Sequence, residues 1–210
     1  KALDWLVARM PRWTTPDFFT LIALASALLG GIFYLFTAQS LSWLLAVDIC
    51  LALHWFGDSL DGRLARYRRI QRPNYGYYVD HILDSGSAAL FLGGLTASSV
   101  LTNTTSWVWV LALMFLSMIH AFLKTKVIGT FELSIRQVGP TEARIGLILV
   151  NTAAFFTGNP HYLILGIRAT LLDFIGWLVV IAFLIVLIPE VIKTAIRLSK
   201  KDRATKRFSH

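Results

Sequence analysis

Four aspartates are set in two pairs. Asp58 and Asp61, three apart, close one apolar stretch; Asp80 and Asp84, four apart, open the next. On helices these spacings put both side chains of a pair on one face. A carboxylate at the bilayer centre costs roughly 2.5–3.5 kcal/mol on insertion scales, and four together repel one another, so cations must balance them. Arg63, Arg66, Arg68, Arg69 and Arg72, all on the segment between the pairs, are one supply. Metal ions are the other, and a set of carboxylates with no cysteine among them is the all-oxygen ligation that Mg²⁺, Mn²⁺ or Ca²⁺ takes. Four carboxylates suit two such ions about 3.5–4 Å apart, the arrangement that clamps a phosphoryl group in transfer. Small residues continue both stripes: Gly62 and Ala65 beyond Asp61, and Gly76 one turn before Asp80. They let a helix or a flat ligand approach closely. Arg66 adds a planar donor fork suited to phosphate oxygens. The combination points to an anionic, phosphate-bearing substrate.

The elements that must position these residues are membrane spans. Of the 210 residues, 56% are hydrophobic and only 15% charged, and the mean hydropathy is +0.62. Soluble domains run nearer ~45–50% and ~25%, so disorder, a collagen repeat and an ordinary soluble sphere are excluded. The lone cysteine, Cys50, excludes an intrachain disulfide and a cysteine-based zinc site. Six apolar stretches approach the roughly 20 residues a span needs: 17–37, 41–61, 78–99, 106–127, 143–158 and 170–193, the fifth being the shortest. Residues 1–12, with Leu3, Trp5, Leu6 and Met10 among charges, read as an amphipathic helix lying in the membrane interface. Pro11 and Pro16 break it before the first span. The basic stretch 199–210 reads as a frayed tail attracted to anionic headgroups. The expected fold is therefore all-α, one integral membrane domain over 1–210 with six transmembrane helices and an N-terminal interfacial helix. With this layout all of the 20 Lys and Arg except Arg168 fall on one side. That bias places both termini and the aspartates in the cytoplasm, and it explains the net charge of +8 without a nucleic acid partner.

The pattern Asp58-x2-Asp61-Gly62-x2-Ala65-Arg66-x9-Gly76-x3-Asp80-x3-Asp84 resembles the signature of the CDP-alcohol phosphotransferases, also called CDP-alcohol phosphatidyltransferases. The resemblance extends to the six-span layout and the interfacial helix. Thr15-Pro16-Asp17-x2-Thr20 is similar to that family's Pro-Asn-x2-Thr element, with Asp17 in place of the usual Asn. The resemblance implies an enzyme of phospholipid synthesis that moves a phosphoalcohol from a CDP-linked donor to an alcohol acceptor and releases CMP. It implies that Asp58, Asp61, Asp80 and Asp84 hold two divalent cations, Mg²⁺ or Mn²⁺, on the donor pyrophosphate. Gly62, Ala65 and Arg66 would lie along the bound CDP with Gly76 also at the substrate, and Asp84 would be the general base. It further implies a homodimer, in a bacterial or archaeal plasma membrane.

Two donors are open. The compact size resembles enzymes that take CDP-diacylglycerol and a polar acceptor. Asp80-His81-x2-Asp84-Ser85 resembles those that pass CDP-choline or CDP-ethanolamine headgroups to diacylglycerol. The first is preferred. Another class, a divalent-cation carrier, uses the same acids but predicts polar residues continuing across the membrane. Span three instead runs into Ala, Leu, Phe and Gly after Asp84. A scaffold without catalysis leaves four costly carboxylates unexplained. Asp48, mid-span, reads as a hydrogen-bonded acid inside the bundle; His81 as a residue turned to a neighbouring helix, with proton transfer the alternative. Lys124, Lys126, Arg136 and Arg144 fall on the acids' side, where they could meet an anionic acceptor or the donor's phosphates.

Overall fold

A computed structural model describes residues 2–128, 139–164 and 166–207. Seven helices follow in order: α1 (Ala2–Ala8), α2 (Pro16–Phe36), α3 (Trp43–Tyr67), α4 (Pro73–Ala97), α5 (Thr105–Ile128), α6 (Pro140–Thr157) and α7 (Leu171–Arg207). Between α6 and α7 lies an antiparallel hairpin of β1 (His161–Ile164) and β2 (Ile167–Thr170). The hairpin was not expected in an all-α chain; Gly166, at φ 81°, supplies its turn. The protein is an all-α, multi-span membrane protein. Among the described residues, four helices are long and apolar enough to cross a bilayer: Pro16–Phe36, Trp43–Tyr67, Thr105–Ile128 and Leu171–Arg203. The other two expected spans are helical but carry charge inside them, Asp80 and Asp84 in α4 and Arg144 in α6.

Local chemistry explains the ends. The Thr15 side chain accepts from Phe18 N at 3.2 Å and Pro16 opens α2. α3 runs past the expected end at 61 to Tyr67. It closes when Ile70 N donates to Ala65 O and Arg69 N to Arg66 O, with Arg69 in the left-handed region at φ 57°. Pro73 then starts α4. Gly158, at φ 73°, stops α6. At α7 the start is fixed by a reciprocal pair: Asp173 N donates to Thr170 Oγ1, and the Asp173 carboxylate accepts from Thr170 N. The same carboxylate also accepts from Thr102 N and Asn103 N, tying the hairpin end of α7 to the approach to α5. The helix continues through Arg207 where a frayed tail was expected from 199.

α2 is the centre of the site-bearing half. It packs along both α3 and α4, which meet each other only marginally. The short turn between α3 and α4 would suit direct antiparallel neighbours, but glycines draw α2 between them. A Cβ on Gly57 would stand 2.6 Å from Phe19 O, and one on Gly31 2.6 Å from Leu90 O. Only residues without a side chain allow backbones this close. A buried polar chain joins three helices deeper in the bundle. Tyr34 OH donates to Asn151 Oδ1, Asn151 Nδ2 to Asp48 Oδ1 and Thr152 Oγ1 to Asp48 Oδ2, at 2.8–3.0 Å. Asp48 is thus the hydrogen-bonded acid its position suggested. α1 rests on the N-terminal end of α2 and the C-terminal end of α3 through Val7, packed with Phe19, Leu60 and Leu64.

Candidate active site

The aspartate pairs lie on α3 and α4 as their spacing required, Asp58 and Asp61 in the last turns of α3, Asp80 and Asp84 in the first turns of α4. One carboxylate oxygen each from Asp58, Asp80 and Asp84 come within 4.8 Å of one another. Asp61 lines the same cleft, but its carboxylate is turned to other partners. Thr20 Oγ1 of α2 donates to Asp61 Oδ2 at 2.9 Å, and Gly62 N donates to Asp61 Oδ1. So three of the four expected acids converge, while the fourth is held at their side.

Charge balance inside the cleft comes from Arg144 on α6. Its Nη1 donates to Asp58 Oδ2 at 2.7 Å and its Nη2 to Asp84 Oδ1 at 3.0 Å. The five arginines between the pairs mostly serve elsewhere. Arg63 pairs with Asp4 at 2.8 Å. Arg68 donates to the carbonyls of Met10, Pro11 and Thr14, clamping the turn between α1 and α2. Arg72 pairs with Asp17 at 2.5 Å and lies over the Tyr75 ring; the hydrogen bond to Asp17 raises its guanidinium further above its ordinary value. Asp17, at the position where the similar family element has Asn, is therefore a partner of an arginine. Arg66 folds back over Gly62, where an added Cβ would stand 3.3 Å from Nη1, and it has no ion-pair partner among the described residues. Ala65 is half-buried beside it. Gly76 is exposed, with open space where a side chain would be.

Residues that the acid pattern did not name also line the cleft. His54, one turn before Asp58, is buried, and its Nδ1 has no hydrogen-bond partner among the described residues. Ser87, three after Asp84, is buried on the opposite wall. Helical spacing from the aspartates would have found both. His81 turns toward α5: its Nδ1 lies 2.6 Å from Tyr77 O and its ring packs against Tyr77 and Phe122. Lys124 pairs with Glu190 of α7 at 3.0 Å. Arg136 lies outside the described residues.

The donor set fits a hard divalent cation. Three carboxylate oxygens from two helices converge in a partly dehydrated cleft with no soft ligand among them. Comparison with known proteins agrees with this chemistry. Residues 13–196 match the sequence model for CDP-alcohol phosphatidyltransferase; that stretch takes in α2 to α6 and most of α7, with all four aspartates, and the chain therefore belongs to the CDP-alcohol phosphatidyltransferase family of membrane transferases in phospholipid synthesis.

Proposed function

We propose that the protein transfers a phosphatidyl group from CDP-diacylglycerol to the hydroxyl of a polar alcohol and releases CMP. The observation that carries this reading is the convergence of Asp58, Asp80 and Asp84 within 4.8 Å beside Asp61. Asp58, Asp61, Asp80 and Asp84 would hold two divalent cations, Mg²⁺ or Mn²⁺. Bound there, such ions would draw charge from the donor pyrophosphate and make CMP a better leaving group. Asp61, steadied by Thr20 and Gly62 N, would keep acceptor capacity for such an ion. The protein's own part in the chemistry is positional and protonic. Arg66, with Gly62 and Ala65, would lie along the bound CDP, and Gly76, with open space where a side chain would be, would leave room for substrate. Asp84 takes the proton from the acceptor hydroxyl as its oxygen bonds to the diacylglycerol-bearing phosphorus. The bond from that phosphorus to the CMP oxygen breaks, and the electron pair leaves with CMP. Six spans with the site and both termini on the cytoplasmic side accompany this reading.

Purified protein in lipid nanodiscs, given radiolabelled CDP-diacylglycerol, a polar alcohol and Mn²⁺, should release CMP and yield a new phospholipid, and chelation should stop both. CMP release only from CDP-choline or CDP-ethanolamine with diacylglycerol would reverse the donor assignment. Metal uptake into proteoliposomes, abolished by Asp61→Asn and unaccompanied by CMP release from any donor, would make the acids a carrier's ion site instead.

A further inference from the structure

Among the described residues, Arg144 is the side chain of α6 that hydrogen-bonds into the acid cluster, and it does so across two other helices. Asp58 belongs to α3 and Asp84 to α4. Both helices pack on α2, and their backbones approach each other little, with His54 of α3 set edge-on against Phe91 of α4, so the distance between the two carboxylates is not set by backbone packing between their helices. It is spanned by one guanidinium. That group is planar and rigid, and two nitrogens of its fork hold two acceptors at a fixed separation. The bridge is sheltered: the side chains of Arg144, Asp84 and Asp58 are 11%, 13% and 24% exposed. Its base is firm as well. α6 packs on α3, and Glu142 caps the first turn of α6 by accepting from Gly139 N at 2.8 Å. Arg144 takes one oxygen of each carboxylate, Asp58 Oδ2 and Asp84 Oδ1, and leaves the other of each free. With the bridge in place, Asp58, Asp80 and Asp84 still bring one oxygen apiece within 4.8 Å.

We propose that Arg144 is a positioning residue of the cation site, bracing Asp58 and Asp84 at the separation a divalent cation requires and acting through them rather than on the substrate. This rests on the reading of the acid cluster as a divalent-cation site. Two effects of Arg144 oppose each other. Its charge repels an incoming dication, so by charge alone its removal would tighten binding. Its brace orients ligands, and partners of this outer kind are worth about 10–100-fold in metal affinity. The inference is that orientation outweighs repulsion.

Mn²⁺ binding to the full chain in nanodiscs, followed by electron paramagnetic resonance without nucleotide, separates the two by sign. Arg144→Gln should weaken binding roughly 10-fold or more. Arg144→Lys keeps the charge but not the rigid fork, and should weaken it as well; it also serves as the reading if Arg144→Gln does not fold. Unchanged or tighter binding in the variant that folds overturns the brace while leaving the cation site standing. Wild-type protein that takes up no Mn²⁺ removes the site and the brace with it.

Discussion

Asp61 differs from its three neighbours in what holds it. Thr20 reaches it from α2 and its own helix supplies Gly62 N, whereas Asp58 and Asp84 share a guanidinium and Asp80, with its side chain 51% exposed, stands at the open side. Different tasks follow for different carboxylates. Asp84 is among the more sheltered, at 13% exposure, which suits the proposed role of accepting a proton out of reach of bulk water. Asp84→Asn keeps the shape and one acceptor oxygen but removes the proposed base. Turnover should fall by about 10²–10⁴-fold while binding of the CDP donor, read by equilibrium dialysis, stays measurable. Asp58→Asn should weaken Mn²⁺ binding as well as turnover. An Asp84→Asn enzyme with near-normal turnover would take the base role away from this residue. The aspartates were legible in the sequence because helical spacing of three and four fixes a face regardless of the rest of the chain. His54 and Ser87 obey the same spacing and could be read from the acids outward. The bridge by Arg144 could not: it lies 60 residues beyond Asp84, and nothing local in α6 says which neighbour it meets.

At the scale of elements, the acid helices are arranged by α2, and glycine decides how closely. A Cβ on Gly94 of α4 would fall 2.6 Å from the Gly31 Cα of α2, so the helices would have to part. Gly94→Val should cost about 1–3 kcal/mol, the usual range for overpacking, seen as a lower thermal midpoint in detergent. Turnover should fall too, since α4 would carry Asp80 and Asp84 away from Asp58. The control is its neighbour: a Cβ on Gly93 meets nothing within 4 Å, and Gly93→Val should leave both measurements nearly unchanged. Equal loss in both variants would mean that this approach does not set the site. Hydropathy gave the helices their approximate positions because burial in lipid demands long apolar runs. It could not give the contact between α2 and α4, since two adjacent glycines look alike until the partner helix is in place. Nor did it give the hairpin of β1 and β2. Strands of four residues are too short for a period of two to stand out beside long apolar runs. The end of α3 was misplaced for another reason: apolar character stops near Asp61, but the backbone stays helical until the left-handed turn at Arg69.

Taken as a whole, the molecule wears its apolar residues outside. Leu21, Ile49, Leu149, Phe156 and Ile185 are more than half exposed, at 62–77% for Ile49, Leu21, Ile185, Leu149 and Phe156, as a surface facing lipid must be when its backbone groups are satisfied within helices. Four helices meet the length and hydropathy of a span outright; α4 decides the rest of the topology. Its first turns hold two aspartates, and only the remainder, toward Ala97, is continuously weakly polar or apolar. If α4 crosses, the segment around Gln71 and the segment around Thr104 lie on opposite sides, and the proposed orientation, drawn from the basic bias, predicts Gln71 on the cytoplasmic one. Cys50 is buried, so a cysteine placed at an exposed position is the one a membrane-impermeant maleimide can reach. Gln71 and Thr104 are both exposed and outside the helices. In intact cells Thr104→Cys should be labelled and Gln71→Cys protected; in inverted vesicles the pattern should reverse. Labelling of both from one side would mean that α4 does not cross, and with it the six-span reading would fall. A clean exchange of the two, Gln71→Cys reached from outside, would keep the crossing but turn the molecule over, placing the acid cleft on the outer face of the membrane.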